Sequence, residues 1–447
     1  MIKSSKSLNI VQIIWEDLGR HLSCYQGRTV ISPNIDKMAQ EGIMFTNHYS
    51  TGPVCLPGRC SIITGRYPHA HELWRFNENE ITLPKTLREY GYFTCRFGIT
   101  EESEFKAIDR DIDVELMGKE LLGYDYTWKE SKSSMDIANR FCTFIKNELP
   151  SRTFFANIAF HDVHRPNEAD VEDEEINSTK LPVYLPSLPD TYESKKDFAI
   201  FEKRIKKADE AVGKILDFLR SEGLKENTLV YFTTDHGIDF PRAKMTIYDP
   251  GIEAALIFWG PEFVPKGKID DNLHSHVDIF PTLMDVINKP IPDRVQGKSF
   301  AEALFGQEYT PREFIIVERA WEAPDDPIRA IRTKKYKYIR NYCPGWPIPI
   351  PPEYARKVGS DVIEKIYSNS RHFEELYDIE NDPGEMNNLA ENKEYREIKN
   401  ELWKMLESVL IEDDDKVLDL SRYLSYLREL QDGKWKKEAT GFKLKLK

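Results

Sequence analysis

Cysteine is scarce in this chain, with six in 447 residues, at positions 24, 55, 60, 95, 142 and 343. They have neither the density of a disulfide framework nor a repeated CxxC zinc spacing, so reduced thiols are expected. Positive charge is outnumbered, since 62 Lys and Arg against 75 Asp and Glu leave a formal net charge of −13. Such a surface repels a phosphate backbone, and nucleic acid is excluded as an expected partner. Long apolar runs are missing too. Ile10–Trp15, interrupted by Gln12, and Ala254–Trp259 fall far short of the ~20 residues that cross a bilayer, so no membrane partner is expected. Lys3 and Lys6 precede a short apolar run that enters Glu16-Asp17 with no small-residue cleavage site, which reads as a strand in a cytoplasmic protein.

What is present is a folded composition, 40% hydrophobic and 31% charged, long enough for two or three domains. Apolar runs at Asn9–Trp15, Tyr92–Phe97, Thr153–Phe160, Thr228–Thr233 and Ala254–Trp259 alternate with helical spacing at 33–41, 134–148 and 194–221. That alternation predicts an α/β domain, a mixed but mainly parallel sheet flanked by helices, over residues 1–312. Ser32-Pro33 is expected to supply the N-cap and first position of the first helix. From 313 to 447 the pattern changes to short runs at Phe314–Glu318, Ile328–Arg332 and Tyr336–Arg340, then a helix near 395–411. This predicts a smaller C-terminal α+β domain, an antiparallel sheet plus a helix. The alternation at Phe442–Lys447 is compatible with an edge strand or a solvated terminus.

The most informative segment runs from Cys55 to Arg66, Cys-Leu-Pro-Gly-Arg-Cys-Ser-Ile-Ile-Thr-Gly-Arg. Read alone, Cys55 is either a thiol at a helix N-terminus, where the dipole favours an anion, or a small buried residue beside a turn. Glu16-Asp17 and Asp235-His236 each end a predicted strand. Either pair alone suits a solvated turn, whereas together they bring three carboxylates and an imidazole to one metal cradle. Arg59 and Lys244 are by type ordinary surface charges, and His164 is equally a core histidine or a proton donor.

Cys-x-Pro-x-Arg followed by Thr64-Gly65 resembles the signature of the sulfatases, in which the cysteine is oxidised to formylglycine. The resemblance covers nearly the whole chain, through Asn9–Gly19, Phe160–Pro166, Phe232–Gly237, His276–Leu283 and Leu376–Glu385. The 160–165 run, Phe240-Pro241 with Tyr248–Gly251, and the Pro-rich loop after Arg340 are similar to the N-sulfoglucosamine sulfohydrolases. It implies an alkaline-phosphatase-like fold and a sulfohydrolase acting on a sulfate ester or N-sulfate of a small substrate, with carbohydrate a candidate. The hydrated aldehyde at position 55 would attack sulfur. Glu16, Asp17, Asp235, His236 and the modified Cys55 would hold one divalent ion, Ca2+ by resemblance, with Mn2+ and Mg2+ as alternatives. Arg59 and Lys244 would bind the anion, His164 would protonate the leaving group, and His161 and His71 would contact substrate. A formylglycine-generating enzyme is the implied maturation partner.

The sequence departs from the pattern at several places. Glu16 replaces an Asp and His236 an Asn, and Leu56 and Gly58 stand where small residues are usual. At Gly98-Ile99-Thr100-Glu101 the family's Lys-x-His is absent, leaving His69 or His71 as candidates to compensate. Asp-His also fits the related phosphonate monoester and phosphodiester hydrolases, and the missing pair fits a catalytically impaired binder of sulfated ligands.

Overall fold

Strands buried along their whole length need apolar side chains on both faces, which is why the runs of Ile, Val and Phe line the centre of the sheet. The computed structural model describes residues 8–25, 29–71, 79–98, 121–149, 151–166, 168–319, 326–345, 347–352, 354 and 371–419. Its main sheet comprises β1 (Asn9–Trp15), β2 (Ile43–Tyr49), β3 (Phe93–Phe97), β4 (Tyr126–Trp128), β5 (Phe154–Phe160), β6 (Thr228–Thr234), β7 (Leu256–Trp259) and β8 (Lys268–Ser275). Their order is β4-β3-β5-β1-β6-β7-β2-β8. All run parallel except β7, which is antiparallel to β6 and β2.

Helices cover both faces. On one side lie α1 (Pro33–Gln40), and further along the chain Ser134–Glu148 and Tyr192–Ser221. On the other lie α2 (Cys55–Thr64), α3 (Leu83–Glu89) and Ile279–Val286. In chain order the later three are α4 (Ser134–Glu148), α5 (Tyr192–Ser221) and α6 (Ile279–Val286). Ser32 takes the N-cap position of α1 and Pro33 begins it, but the Ser32 hydroxyl makes no cap bond. It pairs instead with Ser23 Oγ at 2.7 Å, because the chain before α1 folds back on it.

A second sheet, antiparallel, has the order β12-β11-β10-β9, from β9 (Phe314–Arg319), β10 (Ile328–Thr333), β11 (Tyr336–Asn341) and β12 (Glu374–Asp378). One face packs on α7 (Arg396–Glu412) through Leu402, Leu406 and Leu410. The other meets Tyr49, Tyr248 and Ile252 of the larger unit. Charge also crosses this boundary. Lys337 is fully buried and reaches Asp249 Oδ1 at 2.5 Å and Glu385 Oε1 at 2.8 Å, while Arg332 Nη2 lies 2.8 Å from Asp249 Oδ2. The Tyr248–Gly251 segment is thus a joint between the two sheets. The alternating segment 442–447 lies outside the described residues.

Candidate active site

Parallel neighbours end at the same edge of a sheet, so whatever follows them is brought together there. Trp15 of β1 is in register with Thr234 of β6 and with Phe160 of β5. Glu16-Asp17, Asp235-His236 and His161 therefore emerge side by side. Asp17 adopts a left-handed backbone, φ 57°, and its N–H donates to Asp235 Oδ1 at 3.1 Å. Aspartate is one of the few residues that tolerates this region, and the hydrogen bond offsets part of the strain.

Helix α2 arrives from the opposite face with Cys55 in its first turn. A side chain at Gly58 would run into the Asp235 carbonyl and Ser50 Oγ, so glycine permits the close approach. Cys55 Sγ comes to 3.3 Å from His236 Nε2. Arg59, four residues on and therefore on the same helical face, donates from Nε to Asp235 Oδ2 at 3.0 Å, with Nη2 3.6 Å from Glu16 Oε2. Lys244 extends from the loop after β6 to place Nζ 2.7 Å from Asp17 Oδ1. His161 Nδ1 contacts Glu16 directly. His164 Nε2 lies 3.5 Å from Glu16 Oε1 and 4.0 Å from Asp17 Oδ2, with its ring stacked 4.3 Å from that of His161. Its side chain is 23% exposed against 0% for Glu16 and Asp17, which sets it at the mouth of the cluster.

Burial alone would raise the Glu16 and Asp17 pKa values. The His161 hydrogen bond and Arg59 outweigh it at Glu16, and Lys244 with His236 outweigh it at Asp17, so both carboxyls are held well below the usual range. Burial depresses the His236 imidazole, but Asp235 and Asp17 more than reverse this and its pKa is raised.

The donor set fits a divalent cation. Glu16 and Asp17 are 0% exposed and crowd their carboxylates into one cluster, Glu16 facing His161 and Arg59, and Asp17 Oδ1 facing His236 Nε2 at 3.1 Å and Lys244 Nζ at 2.7 Å. Glu16, Cys55 and His164 bring donor atoms within 4.8 Å of one another, and so do Asp17, Cys55 and His236. The carboxylate oxygens suit Ca2+, Mg2+ or Mn2+, and an imidazole among them tilts the set toward Mn2+.

The structure therefore brings together Glu16, Asp17, Cys55, Arg59, His161, His164, Asp235, His236 and Lys244. His71 and His69 lie elsewhere. His71 is fully buried behind α2, where burial, then Arg66 and His69, push its imidazole down to about 3. His69 Nδ1 meets Glu318 Oε1 of β9 at 2.8 Å, and despite burial the Glu318 charge pushes its pKa up to about 10. His69 thus ties the segment after α2 to the second sheet. Gly98 closes β3, and residues 99–101 lie outside the described ones.

Two neighbours of the cluster were not among the candidate site residues, Asp239, which no motif marks, and His276, which opens the 276–283 run of the resemblance. Asp239 lies between Arg165 and Lys244. His276 is fully buried beneath His236 and Arg59, its ring 4.9 Å from that of His48, and burial pushes its pKa down to about 3.

The sulfatase family model matches residues 8–289, more than half of the chain. The chain belongs to the sulfatase family. A second match, to the C-terminal region of N-sulphoglucosamine sulphohydrolase, covers residues 239–346. Among sulfatase relatives, the chain is 29% identical to an ulvan-active sulfatase of Formosa agariphila, over 91% of this chain and 75% of that protein. It is 24% identical to the human N-sulphoglucosamine sulphohydrolase, over 87% of each. The fold is the alkaline-phosphatase-like one of solved sulfatase structures. It is shared with the phosphonate monoester hydrolase of Agrobacterium radiobacter at TM-score 0.69, 19% identity and coverage of 91% of this chain and 96% of that one.

Proposed function

We propose that this sulfatase is a formylglycine-dependent sulfohydrolase that removes sulfate from the ester or N-sulfate of a sulfated sugar. The observation that supports it most is the placing of Cys55 Sγ at the helix N-terminus beside Asp17 and His236 donor atoms, within one cluster of buried acids. A sugar substrate is supported by the named activities of the relatives, on ulvan and on N-sulfoglucosamine.

In this reading Glu16, Asp17, Asp235, His236 and residue 55 hold one divalent ion, with Ca2+ the first candidate and Mn2+ or Mg2+ next. The bound ion supplies Lewis acidity and eases deprotonation of the nucleophile, and the aldehyde derived from Cys55 supplies the hydroxyl. Arg59 and Lys244 bind the tetrahedral anion, the guanidinium being pinned by Asp235 so that little reorganisation is needed as charge develops. His164, the exposed edge of the cluster, delivers a proton to the departing alcohol or amine, and His161 orients the substrate side of Glu16. The maturation partner is a formylglycine-generating enzyme. The low cysteine content, six in 447 residues, supports a reducing, cytoplasmic setting.

The imidazole of His236 in the cluster favours a second reading, hydrolysis of phosphonate monoesters or phosphodiesters. One assay separates the readings. Protein with the aldehyde verified at position 55 is given an aryl sulfate, N-sulfoglucosamine and a phosphonate monoester. Fastest turnover of a sulfated compound supports the proposal. Preference for the phosphonate establishes the second reading. Tight binding of sulfated sugar with no turnover of any of the three establishes an impaired binder. Full activity in Cys55→Ala refutes the nucleophile.

A further inference from the structure

Lys244 is close to two carboxylates. Its Nζ lies 2.7 Å from Asp17 Oδ1 and 3.9 Å from Asp239 Oδ2. Asp17 is one of the groups that fit a cation, and an ammonium so close to it competes for the same oxygen.

Asp239 is built to take that charge. It is 5% exposed, its Oδ1 has no hydrogen-bond partner, and it belongs to neither group of donor atoms around Cys55. Its far side is fixed. Arg165 Nε donates to the Asp239 backbone carbonyl at 3.1 Å and lies 3.6 Å from Oδ2. The Arg165 guanidinium is clamped by Asp197 of α5 at 2.7 and 2.6 Å and lies 4.8 Å over the Phe240 ring. Asp197, Arg165, Asp239, Lys244 and Asp17 thus form one row of alternating charge running into the site.

We propose that Asp239 is a positioning residue that draws the Lys244 ammonium away from Asp17 and so frees the Asp17 carboxylate for a divalent cation. This rests on the metal reading above. With a cation on Asp17, Lys244 would turn from its place 2.7 Å from Asp17 toward Asp239, now 3.9 Å away, and there be available to an anion. Replacing Asp239 by Asn removes the acceptor charge and leaves Lys244 on Asp17.

The test is calorimetric titration of Ca2+ alone into the full chain and its Asp239→Asn, Asp239→Glu, Lys244→Gln and Asp239→Asn/Lys244→Gln variants. Groups that orient metal ligands from outside the coordination sphere typically change affinity about 10–100-fold, so Asp239→Asn is expected to weaken Ca2+ binding about tenfold. Asp239→Glu retains the charge and is expected to stay within about threefold of the parent. Once Lys244 is gone, adding Asp239→Asn is expected to cost less than about threefold, since non-additivity marks a shared partner. An equal loss with and without Lys244 overturns the proposal, because Asp239 would then act on the ion through its own charge. An unchanged affinity in Asp239→Asn overturns it as well. If the parent binds neither Ca2+ nor, in parallel runs, Mn2+ or Mg2+, the metal reading falls and this inference with it. Binding by the parent with no Lys244-dependent coupling removes this inference alone.

Discussion

Arg59 Nε donates to Asp235 Oδ2 at 3.0 Å, and neither group is in contact with bulk water. The pair fixes the guanidinium plane relative to Cys55, one helical turn away, so Arg59 is aimed before any substrate arrives. Removing such a preorganised donor from a dry site typically costs on the order of 10²–10³ in rate. Arg59→Lys is expected to lose nearly as much as Arg59→Gln in kcat/KM, because a point charge cannot hold both Asp235 and an oxyanion in the fork geometry. Activity of Arg59→Lys within a few-fold of the parent would remove this role.

The roles of Lys244 and His164 separate by leaving group. Lys244→Ala is expected to lower kcat/KM strongly for aryl and sugar substrates alike, since it meets the anion common to both. His164→Ala is expected to spare nitrophenyl esters, whose leaving group needs little protonation, and to damage sugar substrates by about 10²-fold or more. Steady-state kinetics on both substrate types checks this, and equal damage by His164→Ala to both contradicts the assignment.

Chelation is expected to abolish turnover and to lower the thermal midpoint, because Glu16, Asp17 and Asp235 are three buried carboxylates that then lose the added positive charge and keep only Arg59, Lys244 and the neighbouring imidazoles of His161, His164 and His236 to offset them. His236→Asn exchanges an imidazole for an amide oxygen, so its ion preference is expected to shift from Mn2+ toward Ca2+. Differential scanning fluorimetry of the apo chain with each ion added back measures both effects.

His71 gives a stability prediction with a definite sign. Its pKa is 6.5 in the ordinary imidazole and is pushed down to about 3 in the native chain, burial being the main cause. The unfolded chain therefore takes up a proton that the native one refuses. Nothing is lost above pH 6.5, and stability drains as pH falls through the window from about 6.5 to about 3. One proton corresponds to a slope of up to about 1.4 kcal/mol per pH unit. Urea unfolding of His71→Gln is expected to be less sensitive to pH than the parent in that window and parallel to it above.

The central strands were readable because β1, β5 and β6, buried along their whole length, are mostly apolar, with Asn9, Gln12, Asn157 and a few threonines as the only interruptions. Strand β2 carries Asn47 and His48, and β8 reads Lys-Ile-Asp-Asp-Asn-Leu-His-Ser. Strand β8 is at the rim, paired on one side only, and its polar residues hide it, while β2 lies inside the sheet between β7 and β8 and is masked by polar residues such as the buried His48. Strand β4 has three residues, too few for any periodicity. In the site, the acids and Cys55 were readable because strand ends and a helix start mark them locally. His69 was not, because its partner Glu318 lies 249 residues away. Asp239 was invisible for a related reason, since its meaning comes from Arg165 and Lys244 meeting on either side of it.

The seal around Cys55 also sets an order of events. The residue is 2% exposed, and Gly58 lets α2 close against Asp235 with no space for another side chain. On the formylglycine reading proposed above, an enzyme that oxidises this sulfur would have to read the segment as open chain, before the sheet and helix meet. A molecule that folds first is then expected to keep its thiol, so the active share of a preparation would be set during synthesis, and neither longer incubation nor added cation after folding would raise it.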